Sequence, residues 1–525
     1  MDEFLRWYFS RRPVLASTLG ADGYDHTLGD FSAAAFAERE REEAQWLTRL
    51  QQDTESDPID RELVLSQLRG AVALAEWPDW RRDPAVYLGP VFAALYTPFQ
   101  HRLKPEPELV DDAVAKLAEV PGVLAACRAN LDPDLAAPLL VQRGLGQART
   151  GRGFLTQTLP SMVRDEELRA RLAAAAGPAA DAFDELVTYL DEFRCGGSWR
   201  MGERLYSRLL REREMLGYGA GELHEKGRAA WDELDARMRE VAVRVNGSPD
   251  WRAAMETLMD DHPETLEQMR DEYETETRRA RDFVRDRDLV TFPEGEECLV
   301  LPSAVYTRPI VSVAHYLAPP PLSSSRTGVF FVPYTPDHFT PEQVRQRLRT
   351  NSRPQMPSIA VHEAYPGHHW HLATLAGGSH PVRKVFRTPY FTEGWALYVE
   401  KLLHEHGYFD TPATELCHLD FRLFRAARIV VDTALHCGDM TIEEAETFMA
   451  TKASLSPGTA QGEVNRYCAW PTQAPSYLTG AIEIERMRDS YAGTRKDFHD
   501  RLAGSGGLPL GLAEKALSDA GTPAG

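Results

Sequence analysis

Cysteine is scarce in this 525-residue chain: six residues, at 127, 195, 298, 417, 437 and 468, none spaced as Cys-x-x-Cys. That density cannot staple a fold of this length, so the expectation is free thiols in a reducing compartment. Basic residues are short too. Against 79 Asp and Glu stand 59 Lys and Arg, a net charge of −20. Such a surface repels phosphate backbones and anionic lipid, which argues against a nucleic-acid or membrane partner. No apolar run approaches the roughly 18 residues of a membrane span. The opening Met-Asp-Glu-Phe-Leu-Arg carries acids instead of an apolar leader, and the cytoplasm is the expected location. No internal repeat or low-complexity linker is found. Yet 43% of residues are hydrophobic, enough to build a large core.

What is present reads mainly as helix. Apolar residues recur at helical spacing over 61–77 and at three and four over 219–245, with Asn246-Gly247 as a stop signal; the Ala-, Glu- and Arg-rich 31–52 reads as helix, as do 105–131 and 164–193 with short Pro or Gly breaks. The segment 263–288 is so charged that it predicts a helix with one wet face. Between 289 and 335 the character changes. Prolines cluster, and Val311-Ser312-Val313 and Val329-Phe330-Phe331-Val332 read as strands of a small ribbon. Helices return from 341, and the glycine-rich 504–507 and the last residues, 522–525, read as loop or tail. The expected architecture is mainly α, with this ribbon beside the active-site helix. It divides into an N-terminal helical region, 1–288, that walls a deep cleft, and a catalytic region, 289–525, within one integrated unit. Trp7, Trp77 and Trp80 read most simply as core.

Chemistry concentrates in His362-Glu363-Ala364-Tyr365-Pro366-Gly367-His368-His369-Trp370-His371, which holds four of the sixteen histidines. A His-Glu pair followed by another His is how zinc hydrolases present two imidazoles and a general base. The usual spacing places the second His four residues on, about 40° around a helix at roughly 100° per residue. Here that position is Pro366. On an undistorted helix His369 returns to the face of His362, whereas His368 points about 120° away. Pro366 breaks the helical bonding and Gly367 tolerates unusual dihedrals, so a bulge there can bring His368 into register instead. Geometry alone leaves both open. A third ligand is available from Phe391-Thr392-Glu393-Gly394-Trp395-Ala396-Leu397-Tyr398-Val399-Glu400, which reads as a second helix. Glu393 is the candidate, and Glu400, seven residues on, is either its supporting partner or a rival.

These paired segments resemble the gluzincin plan, in which His-Glu-x-x-His is followed by a helix supplying a third ligand. They resemble more closely the bacterial domain-of-unknown-function family 885 (DUF885), with its His-Glu-x-x-Pro-Gly-His and Glu-Gly-Trp-Ala-Leu-Tyr. Other segments fit the same family: Trp7-Tyr8 through Thr18-Leu19-Gly20, Met201-Gly202-Glu203 with Tyr206, 328–332, 428–436, and Arg466-Tyr467 through Pro471, Gln473 and Tyr477. The resemblance spans most of the chain. It implies a largely helical, zincin-like metallopeptidase scaffold binding one Zn²⁺ per chain, and its Pro-Gly-His points to His368 as the second ligand. On that plan His362, His368 and Glu393 hold the metal and Glu363 is the general base. Tyr477 or His436 donates to the oxyanion, Tyr477 being preferred. Arg428 and Arg466 are candidates for a substrate carboxylate, Gln473 for a hydrogen bond to substrate, and 329–332 for an edge strand that binds an extended peptide.

Each assignment has a plainer counterpart. Arg428 and Arg466 can be ion-pair partners of Asp432 or Glu463, Tyr477 a core tyrosine, His436 a structural residue, and His369 and His371 packing. The expected function is zinc-dependent hydrolysis of a peptide or other amide bond. The alternatives are a zinc amidase that tailors small molecules and an inactive binding protein on the same scaffold. The donor set leaves other divalent ions open, and substrate and oligomeric state are not legible.

Overall fold

Helix dominates because its start signals recur along the chain. Ser32, Asp57, Asp165, Asp250, Thr265, Thr340, Thr411 and Thr441 each cap a helix by accepting a backbone N–H through the side chain. The computed structural model describes residues 1–303, 308 and 313–520. It is mainly α-helical with one small sheet. The chain forms two compact units, Met1–Met201 and Gly202–Gly525. The second unit begins at Gly202, so the helices between 203 and 286 lie in the same unit as the histidine-rich segment. None of the six cysteines is paired, and among the described residues no helix is long and apolar enough to cross a membrane.

The first unit is all helix. Glu106–Asn130 is its longest member, and it, Ala33–Gln51, Pro58–Leu74 and Gly177–Glu192 fall on the helical segments expected from the sequence. The three tryptophans expected in the core are half-buried instead, each with a polar neighbour. Trp7 and Trp80 donate to Glu42 and Glu40 at 3.0 Å, and Arg82 lies 3.6 Å over Trp77.

In the second unit, α1 (Ala220–Asn246) ends at Gly247, whose φ of 80° gives the left-handed cap that the Asn-Gly pair predicted. The charged helix α2 (Leu266–Asp286) buries one stripe, Met269, Tyr273, Thr277, Ala280 and Val284. On that stripe sits a three-stranded sheet of β1 (Glu297–Pro302), β2 (His315–Leu317) and β3 (Thr327–Val332), in the order β1-β3-β2. Alternate residues of β3 point inward, and Phe330 meets Tyr273 edge-on at 5.4 Å. Their cluster includes Met356 and Ala360, so the sheet seats the next helix, α3 (Met356–Glu363).

The segment 329–332 is not an edge. All six residues of β3 pair with β1 in parallel on one side, and Val329–Phe331 pair with β2 antiparallel on the other. Its backbone donors and acceptors are therefore largely committed to neighbouring strands, which removes strand addition at this position. The Val311-Ser312 part of the other proposed strand, and 522–525, lie outside the described residues.

After α3 come α4 (His368–Gly377), α5 (Pro389–Glu405), α6 (Pro412–Cys437), α7 (Pro457–Ala469) and α8 (Ser476–Ser490). Helices α5 and α8 touch backbone to backbone. A Cβ on Gly394 would lie 2.5 Å from the Gly480 Cα, and one on Gly480 would lie 1.9 Å from the Tyr390 carbonyl oxygen. That approach brings the segment carrying Glu393 beside the one carrying Tyr477.

Candidate metal centre

The helix carrying His362 stops at Glu363, and a new one starts at His368. The turn between them is sterically locked. A Cβ at Gly367 would lie 2.0 Å from the His362 carbonyl oxygen. Trp395 of α5 donates to the Pro366 carbonyl at 2.8 Å, tying the turn to the helix that bears Glu393. The break re-aims the histidines. The His362 and His368 rings meet edge-on with centroids 4.8 Å apart. Glu393 Oε2 lies 3.7 Å from His362 Nε2 and 3.4 Å from His368 Nε2. One ligand atom from each of the three falls within 4.8 Å of the others.

His369 goes elsewhere. It is fully buried, with Nδ1 2.9 Å from the Tyr316 hydroxyl and Nε2 2.7 Å from Glu296. Both ring nitrogens are engaged, so neither is free for a metal. Glu296 also takes hydrogen bonds from Tyr365 and Arg281. Burial would raise its carboxyl, but His369, Tyr365 and Arg281 hold it below the usual range. His371 is packed against Phe391 and Trp395, and burial pushes its imidazole down to about 3, so it stays neutral.

Glu400 sits behind His362. Its Oε1 is 2.8 Å from Nδ1 of that ring, while its Oε2 accepts from Ser358 at 2.6 Å and lies 3.5 Å from His418 Nδ1. With Nδ1 held by a carboxylate, Nε2 is the nitrogen left facing Glu393. The field at this point favours positive charge. Burial alone would lower the His362 imidazole, yet Glu393 and Glu400 raise it to about 10. Burial would raise Glu393, but His368 and His362 hold it well below the carboxylate range, so it is ionised. Two imidazoles and an ionised carboxylate, converging where a cation is favoured, fit a divalent ion such as zinc.

Glu363 adjoins the cluster. Burial raises its pKa, against the pull of His362 and His368. Tyr477 stacks on His362 at 6.4 Å with 14° between the rings. The guanidinium of Arg428 lies 4.6 Å over the Tyr477 ring, and that of Arg425 5.5 Å. Arg428 and Arg466 both pair with Glu463, at 2.7 and 3.3 Å, and Arg466 also donates to Gln473 at 2.7 Å. Asp432 takes no part in this pairing; it accepts from Tyr206 and from the Thr472 N–H.

His436 is not brought to the cluster. It lies eight residues beyond Arg428 on α6, about 12 Å along the axis at 1.5 Å per residue. There it stacks on Tyr206, and its Nε2 is 3.0 Å from the Tyr467 carbonyl oxygen, so it has a structural setting. The sequence reading missed Arg425, Ser358, His418 and Glu296. Only Arg425 had a local signal, since it precedes Arg428 by three and so shares its face of α6.

A family model described as "Bacterial protein of unknown function (DUF885)" matches residues 13–517. The chain belongs to this family. Two solved structures share the fold. One is a candidate lipoprotein of unknown function from Shewanella oneidensis, 21% identical, covering 98% of each chain with a TM-score of 0.80. The other is a candidate lipoprotein from Colwellia psychrerythraea, 17% identical, covering 98% of this chain and 96% of its own, also with a TM-score of 0.80. A comparison with curated proteins returns no match. The DUF885 likeness therefore carries the fold and leaves the activity to the site.

Proposed function

We propose that this protein is a gluzincin-like, metal-dependent hydrolase of amide bonds, with zinc the ion its donors suit best. The observation that carries the reading is the convergence of His362, His368 and Glu393 within 4.8 Å, with Glu400 fixing the far nitrogen of His362. A divalent ion held there would supply a Lewis acid that acidifies water and polarises a carbonyl. The chain's own groups do the rest. Glu363, next to the first histidine, takes the proton of the attacking water and returns it to the departing nitrogen. Tyr477, stacked on His362, offers its hydroxyl to the oxygen that gains charge.

The test is a zinc titration and a peptide-library assay on the wild type and Glu363→Gln. The variant should keep one equivalent of zinc while turnover drops by about 10²–10⁴. A zinc-loaded wild type that cleaves no amide in the library removes the reading.

A further inference from the structure

Beside the metal centre three guanidiniums gather, that of Arg428 buried and those of Arg425 and Arg466 half-buried. Arg425, Arg428 and Arg466 gather at α6 and α7, and the carboxylate paired with two of them is Glu463 alone. Even that one is shared, because Tyr467 also donates to it at 2.8 Å. Arg428 is 4% exposed; one Nη binds Glu463, and against the cost of burial Tyr467, Glu463 and Tyr477 raise its guanidinium, yet its Nε and other Nη have no hydrogen-bond partner of good geometry. The Nε of Arg425 and of Arg466 are likewise buried and unpartnered. Arg425 makes only a long bond of 3.4 Å, to the Phe421 carbonyl, as a hydrogen bond among the described residues. The nearby carboxylates Glu393 and Glu400 are committed to the histidines. Burial, followed by the charge of Arg428, pushes the Arg425 guanidinium below its ordinary range.

Leaving charged donors buried and unmet costs several kcal/mol each, and folded proteins keep such groups where a ligand meets them. Guanidinium forks match one ligand chemistry best, a planar carboxylate. Position narrows it further. Arg428 and Arg425 both lie over Tyr477, whose ring stacks on His362. An extended peptide advances about 3.3–3.6 Å per residue. Arg428 and Arg425 are therefore within one or two residues of a carbonyl placed at the histidines, and Arg466 joins them through Glu463.

We propose that Arg428, with Arg425 and Arg466, binds the C-terminal carboxylate of a peptide substrate, making the protein a carboxypeptidase that removes one or two residues. This rests on the hydrolase reading, but its binding step does not need turnover. Glu463 and Gln473 orient the guanidiniums, and Tyr477 separates them from the metal ligands.

The experiment uses the full-length Glu363→Gln protein and isothermal titration with N-acetyl-Ala-Ala-Ala, its C-terminal amide, and N-acetyl-Ala-Glu-Ala amide. Titrations are run with zinc and again in EDTA. The free acid should bind at least 30-fold more tightly than the amide in both. Arg428→Gln in the same background should erase that difference, and Arg425→Gln should reduce it, should the first variant fail to fold. Equal binding of acid and amide overturns the proposal. Tight binding of the Glu-containing amide also overturns it, because the subsite then reads a side chain. If the acid is preferred but zinc-loaded wild type cleaves nothing, the hydrolase reading falls and the carboxylate site stands.

Discussion

Oε1 of Glu400 lies 2.8 Å from Nδ1 of His362, and that contact decides which nitrogen of the ring faces the neighbouring Glu393. A carboxylate behind a ligating imidazole fixes its tautomer and raises its basicity, and its loss typically costs 10–100-fold in metal affinity. Glu400→Ala should therefore weaken zinc binding by about 10–100-fold in a chelator competition. Glu393→Gln, which removes a charged donor itself, should weaken it more. Equal affinity for Glu400→Ala and wild type would show that the contact has no part in holding the metal.

The two adjacent histidines, His368 and His369, should separate cleanly. His368→Ala should abolish stoichiometric zinc binding with little loss of stability, since its side chain is on the rim of the cluster at 14% exposure. His369→Ala should do the reverse. It leaves Glu296 buried with one fewer hydrogen bond, a change that costs about 3 kcal/mol when a buried pair is broken. Denaturant unfolding with zinc content read on the same samples makes the comparison. Zinc loss in His369→Ala without loss of stability would reverse the ligand assignment.

Tyr477→Phe tests the oxyanion role. Removing one donor of this kind usually lowers kcat by about 10²–10³. The ring contact with His362 is kept by Phe, so KM and zinc content should hold. A KM effect with unchanged kcat would place the hydroxyl on the ground state of the substrate.

Much of this was legible in the residues. Helices announced themselves through capping side chains and three-four periodicity, and the segments bearing His362, Glu363 and Glu393 stood out because metal chemistry demands those types together. Two things were not. The edge assignment of 329–332 failed because β2 is only three residues long and carries no pattern, so nothing marked β3 as flanked on both sides. The choice between His368 and His369 turned on distant partners. Glu296 and Tyr316, which occupy His369, lie 73 and 53 residues away in the chain. Arg425 escaped although it shares a face with Arg428, because an arginine on a helix is ordinarily solvated and the packing that half-buries this one comes from other elements.

Packing at the α5–α8 crossing gives a prediction independent of metal. Gly480→Ala places a methyl group 1.9 Å from the Tyr390 carbonyl oxygen, where backbone must move. Overpacking of this kind costs about 1–3 kcal/mol or more. The displacement also separates Tyr477 from Glu393, so activity should fall further than stability alone accounts for. Gly462→Ala, inside a helix with open space at the Cβ, is the control: it should leave activity unchanged and raise stability by up to about 1 kcal/mol.

Acid sensitivity should trace in part to His499. Its Nδ1 lies 2.8 Å from the Leu289 carbonyl oxygen, and its Nε2 lies 2.7 Å from the Tyr398 hydroxyl. The neutral ring satisfies both, donating at Nδ1 and accepting at Nε2. Burial pushes its pKa from 6.5 down to about 4, only partly opposed by the bond to Leu289. The folded protein thus holds the ring neutral at pH values where the unfolded chain protonates it. The resulting stability is fully present above pH 6.5 and is lost as pH falls through about 4. A shift of this size corresponds to about 3 kcal/mol. His499→Gln keeps a donor and an acceptor without the titration. The stability gap between wild type and variant, from urea unfolding at pH 7.5 and pH 4, should shift by about 3 kcal/mol in favour of the variant at the lower pH. Other histidines held low by burial, such as the half-buried His101 and the buried His371, titrate alike in both proteins and cancel in that difference. A gap that stays constant with pH would mean that His499 protonates equally in the folded and unfolded chains.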